Sequence, residues 1–226
     1  VSAALLLTMS LALGASPRAE GRKIFNDPSV GKSGVACAHC HATVKNELKK
    51  GDGLIRAGHT LWGVAKRKYW RGDRERRFHA NLGDAANVCV QIFQQGAPLQ
   101  GAQRKALTAY LRSISKKTRR QPALQLTTAL EADLDYDRQK YQGGSPTAGR
   151  DLFYKACHSC HPHGGLGLGP TLFGKSVPEV ARSVREGNGL IRGARRGATW
   201  MPAFGLSRLS NEQVADIAAF VASLGS

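Results

Sequence analysis

Cys157-His158-Ser159-Cys160-His161 is the stretch on which the reading of the chain turns, because Cys37-Ala38-His39-Cys40-His41 repeats it. Cys-x-x-Cys-His is the attachment pattern of a c-type haem. Two thiols three positions apart on a helical turn can each form a thioether to one haem vinyl, which forces the following histidine onto the iron. Zinc would require a second Cys/His pair per site at metal-ligand spacing, and neither flank supplies one. A thioredoxin-like dithiol has no use for the trailing histidine, least of all twice. The expected cofactors are therefore two haem c groups. Cys37, Cys40, Cys157 and Cys160 are their thioether positions, and His41 and His161 the proximal ligands.

The flanks repeat as well, and a repeat of this length decides the architecture. Gly21-Arg22-Lys23-Ile24-Phe25 before the first motif answers to Gly149-Arg150-Asp151-Leu152-Phe153 before the second. After them, Gly58-His59-Thr60-Leu61-Trp62-Gly63 answers to Gly169-Pro170-Thr171-Leu172-Phe173-Gly174. Each half closes on an amphipathic helix, carrying Ala106, Leu107, Tyr110, Leu111 and Ile114 in one and Val214, Ile217, Ala218, Val221 and Leu224 in the other. Ser210 with Gln213 three residues on marks the start of the second closing helix. The glycines at 21 and 149 let that closing helix approach the first helix of its unit.

Taken together, Gly-x-x-x-Phe, Cys-x-x-Cys-His, Gly-Pro-x-Leu, Met-Pro-x-Phe and the closing helix with an aromatic resemble the class I cytochrome c family over nearly the whole chain. The resemblance implies an all-α fold: two tandem cytochrome c-like domains, each a few helices wrapped round a covalently bound haem c. The expected boundaries are a signal peptide at 1–19, a first domain at 20–116, a linker at 117–146 and a second domain at 147–226. By likeness, the carbonyl of Pro170 orients the ligand histidine of the second unit, and His59 holds the equivalent place in the first.

The distal ligand of the second haem is expected to be Met201, 40 residues beyond His161 in Trp200-Met201-Pro202-Ala203-Phe204, since the only other methionine is Met9. A neutral thioether favours ferrous iron and raises the potential. The first unit lacks this loop: Gly187 to Leu209 spans 22 positions and Gly96 to Leu99 only 3, a deficit of about 19 residues. Its distal position is left to Cys89, to His79, or to no protein ligand; His59 falls on the wrong side. Cys89 shares an apolar stripe with Val88, Ile92 and Phe93 on the helix before Gly96. The segment Cys89-x6-Gly96-Ala97-Pro98-Leu99 also resembles the first domain of thiosulfate dehydrogenases and related sulfur-oxidation dihaem cytochromes, which implies a cysteine ligand here. A thiolate stabilises ferric iron, so the first haem should lie below the second in potential.

The opening run Val1–Gly14 is apolar, of signal-peptide length and too short to span a bilayer comfortably, with Ala12 and Gly14 offering a small-x-small cleavage site. Export to the periplasm follows, with no transmembrane span in the mature chain. The formal charge is +17, which the four propionates of two haems would reduce to roughly +13. That excess favours an acidic redox protein or a membrane-bound redox complex as partner, with salt-sensitive docking; no aromatic-interleaved basic stripe supports nucleic acid. The expected function is electron transfer between a periplasmic donor and acceptor, from the low-potential first haem to the His/Met second. The alternative is a thiosulfate dehydrogenase-like oxidoreductase with its chemistry at a His/Cys-ligated first haem. The carrier comes first because the enzyme rests on one cysteine and a short context.

Overall fold

The computed structural model describes residues 15–67, 70–71, 78–79, 81–116, 119, 139–187 and 201–225. The expected signal peptide through Gly14, most of the linker and the residues 188–200 before Met201 lie outside these. The described chain is helical. In order it forms α1 (Pro17–Asn26), α2 (Cys37–Cys40), α3 (Glu47–Lys50), α4 (Leu82–Ile92), α5 (Gly101–Ser113), α6 (Pro146–Ala156), α7 (Val177–Glu186) and α8 (Asn211–Ser223). One exception to the all-α expectation lies between α3 and α4: β1 (Trp70–Arg71) pairs antiparallel with β2 (Phe78–His79), Trp70 opposite His79. Among the described residues no helix is long and apolar enough to cross a membrane.

Two helix pairs organise the chain, α1 on α5 and α6 on α8. Each crosses at a glycine. A Cβ on Gly21 would meet the carbonyl of Ala106 and the Cβ of Tyr110; one on Gly149 would meet the carbonyl of Asp216 and the Cβ of Phe220. The backbones can touch only because those side chains are absent. One turn on, Phe25 packs on Tyr110 with ring centroids 5.5 Å apart, and Phe153 on Phe220 at 5.3 Å. These distances fall within the favourable range for tilted aromatic pairs. Ala106, Leu107, Tyr110 and Leu111 are buried in one core, and Val214, Ile217, Ala218 and Val221 in the other.

Capping fixes where the helices start. Ser16 and Ser145 each accept the backbone N–H three residues on, with proline at the first helical position. At α8, Ser210 Oγ accepts Gln213 N (3.2 Å) while Gln213 Oε1 accepts Ser210 N (2.9 Å), the reciprocal cap its sequence announces.

Three details differ from the sequence expectations. Helix α1 begins at Pro17, so the expected boundary at residue 19 falls inside it. Tyr141, within the stretch expected as linker, is 1% exposed and belongs to the second core. On α4 the buried face is Leu82, Asn87 and Val90; Val88, Cys89, Ile92 and Phe93 are half-buried. The cause is Asn87, whose side chain donates to Leu99 O (3.1 Å) and accepts from Leu99 N (2.8 Å). That satisfied amide turns the Asn87–Val90 face inward.

The halves also touch. Ile55 of the first half is part of the second core, and its N–H donates to Lys155 O at 2.8 Å.

Candidate haem sites

Both Cys-x-x-Cys-His motifs sit on a single turn closed by the same bond, from the histidine N–H to the first cysteine's carbonyl, 2.9 Å in each. The loops after the two motifs differ in length and close alike. The chain returns after 18 residues in the first unit and nine in the second, yet Gly58 N donates to Cys40 O and Gly169 N to Cys160 O, both at 2.9 Å. The next residue presents its carbonyl to the histidine. His41 Nδ1 donates to His59 O (2.7 Å) and His161 Nδ1 to Pro170 O (2.8 Å). A carbonyl only accepts, so the proton is on Nδ1 and Nε2 keeps its lone pair. The glycine itself lies flat on the ring: a Cβ at Gly58 would strike His41, and one at Gly169 would strike His161. Gly58 and Gly169 were legible only as matching positions; their contact with the rings explains why both are glycine.

Each histidine lines a cavity with its cysteines. The second cavity contains Cys157, Cys160, His161, Pro170 and Met201, so the residues named from the second motif and the Met-Pro loop converge. The first is made of two adjoining spaces. One is walled by Cys37, His41, Cys89 and Arg67, the other by Cys37, Cys40, His41, Cys89 and Gln94. Cys89 therefore faces the same space as His41. His79 pairs through its backbone in β2; its side chain lies outside the described residues.

Burial governs the electrostatics. It pushes the thiols of Cys37 up to about 11 and of Cys157 to about 12. Cys40 is raised to about 12 by burial first and then by the neighbouring Cys160 and Cys37 sulfurs. Cys40 of the first motif also lines the second cavity, with Cys157 and Cys160. Burial also depresses the imidazoles of His41 and His161, keeping both neutral as a metal ligand must be; at His41 the positive charges of Arg208 and Arg56 act in the same direction.

Haem c fits both cavities. Each offers a cysteine pair, a neutral histidine with a free Nε2 lone pair and walls of apolar side chains. In the first, the buried Nε of Arg67 finds no hydrogen-bond partner among the described residues, a cation available to a carboxylate.

Arg185 was not among the residues that the sequence singled out. It is 5% exposed. Its Nη1 donates to Phe204 O and Leu209 O (both 2.9 Å), its Nη2 to Asn211 Oδ1 (2.8 Å) and its Nε to Tyr141 Oη (3.3 Å). It pins the segment that follows Met201. A buried charge gives no periodic signal in sequence.

The family model described as cytochrome C oxidase, cbb3-type, subunit III matches residues 144–221. This part of the chain is similar to cytochrome c family domains, which implies haem c and electron transfer. No curated protein matches the chain. Among solved structures it is similar to a thiosulfate dehydrogenase (TsdBA) from Marichromatium purpuratum in its as-isolated form, at 17% identity and a TM-score of 0.40. That match covers 91% of this chain and 45% of the other, so the chain spans less than half of that protein's length.

Proposed function

We propose that the chain is an exported dihaem electron carrier built from two copies of one haem-binding unit. Cys37 and Cys40 hold one haem and Cys157 and Cys160 the other, with His41 and His161 as proximal ligands. Met201 is the distal ligand of the second site and Cys89 that of the first. The observation that carries this reading is the repeated clasp: glycine on cysteine carbonyl, and backbone carbonyl on histidine Nδ1, at matching distances from loops of unequal length. Closure that is alike in both units supports a shared task for the two rings.

The bound group supplies one-electron exchange between ferric and ferrous iron at a potential set by its axial donors. The chain's part is orientation and bias. His59 and Pro170 fix the ring and its tautomer through their carbonyls. Met201, pinned by way of Arg185, offers a neutral thioether that favours the ferrous state; Cys89 offers a thiolate that favours the ferric one. The +17 charge supports an acidic redox partner.

A coulometric redox titration tests this. Two electrons per chain in two resolved waves are expected, and one electron per chain would contradict it.

A second reading, a thiosulfate dehydrogenase-like oxidoreductase, is favoured by Cys89 and Arg67 lining the same first cavity, the Nε of Arg67 having no hydrogen-bond partner among the described residues. Thiosulfate with an artificial acceptor separates the two: the carrier gives no turnover, the enzyme does.

A further inference from the structure

Each unit lends an arginine to the other's cavity. Arg208, from the segment after Met201, lines the first cavity together with Ala203 and Gly205. Arg56, from the first unit, lines the second. Both reach one carboxylate. Arg208 Nη2 pairs with Glu47 Oε1, Arg56 Nη1 lies 3.9 Å from Glu47 Oε2, and Arg208 Nε donates to Arg56 O at 2.6 Å. Glu47 is 8% exposed, and its Oε2 has no hydrogen-bond donor among the described residues.

The two cations are not balanced alike. Arg56 has a second acid in Asp52, at 2.6 Å. Arg208 has Glu47 alone among the described residues.

We propose that Glu47 and Arg208 form a charge couple across the two units that tunes the potential of the first haem site, with the cation supplied by the second unit. This rests on the dihaem reading above. A cation at the cavity wall stabilises the ferrous state, which carries one positive charge less; the carboxylate beside it cancels part of that effect. Removing Arg208 leaves the Glu47 anion uncompensated and lowers the first potential. Removing the charge of Glu47 bares Arg208 and raises it. Because both are largely shielded from water, salt screens the couple only weakly.

The test is an EPR-monitored potentiometric titration of the full-length holoprotein, in which distinct axial ligands separate the two signals, with haem content measured on every variant. R208Q should lower the ferrous-to-ferric ratio at the first site, at fixed potential, by roughly three- to tenfold, the effect of one charge acting through an effective dielectric of about 20. E47Q should raise that ratio by a similar factor. R208K, which keeps the charge and loses the fork, should stay near wild type. The second site should move less than the first in R208Q and E47Q. Two haems with an unmoved first midpoint in R208Q or E47Q overturn the couple and leave the dihaem reading standing. A wild-type chain with one haem overturns that reading and the couple with it. Should R208Q fail to take up haem, E47Q decides by the sign of its shift.

Discussion

His161 and Pro170 meet through a single hydrogen bond, Nδ1 to carbonyl oxygen at 2.8 Å, and His41 meets His59 in the same way at 2.7 Å. Because the acceptor is backbone, changing the side chain at 59 does not delete the bond. The sensitive position is the glycine before it. G58A places a methyl group against the His41 ring and the Cys40 carbonyl, and G169A places one against the His161 ring. Each should cost about 1–3 kcal/mol of stability by overpacking. Denaturant unfolding of the holoprotein measures it, and midpoints equal to wild type would remove any role for the clasp.

Arg185 makes a prediction of a different kind. Its guanidinium satisfies two carbonyls and the Asn211 amide oxygen in the segment after Met201. R185M keeps much of the volume and strands these acceptors, at a cost of about 3 kcal/mol or more, since bonds to a charged donor are the stronger class. The loosened segment should also weaken the Met201 thioether as a ligand and lower the second midpoint while leaving the first in place. A stability loss with both midpoints unchanged would confine Arg185 to packing.

Much of this was legible because it is local. The motifs, the Ser210–Gln213 cap, the amphipathic stripes of α5 and α8, and the glycines at 21 and 149 all announce themselves within a few residues. The all-α class came from the family that these features resemble. What could not be read depends on partners far apart in the chain. Glu47 and Arg208 are 161 positions apart, Arg185 is buried where charge normally is not, and Asn87 turns α4 by binding the backbone of Leu99. The β1–β2 pair is two residues per strand, too short for alternation to register. Ile55 joins the core of the other half, which no periodicity within its own half could signal.

At the start of α7, Glu179 accepts from Ser176 N (2.9 Å) and from Lys175 Nζ (3.0 Å), which hold its carboxyl at about 2 against an ordinary 4.5. A depressed carboxylate stabilises the fold above its unfolded pKa and loses that contribution as pH falls through the folded one. The stability difference between wild type and E179Q should therefore be constant above about pH 4.5 and vanish as pH approaches 2. Tm against pH for both proteins checks this; a difference that persists unchanged to pH 2 would contradict the cap's ionic character. The group is exposed, so the effect is small and salt-sensitive.

Cys89 lines the first cavity with His41. If its thiolate is the distal donor, C89S should raise the first midpoint and replace the thiolate-type low-spin EPR signal, with the second signal unchanged. An identical spectrum in C89S would leave that position to another ligand.

The central claim is that one haem-binding unit occurs twice in this chain. Pyridine haemochrome quantification against protein concentration tests it most directly. Two haems per polypeptide are expected, falling to one when either cysteine pair, Cys37 with Cys40 or Cys157 with Cys160, is changed to serine. One haem in the unaltered chain would contradict the claim.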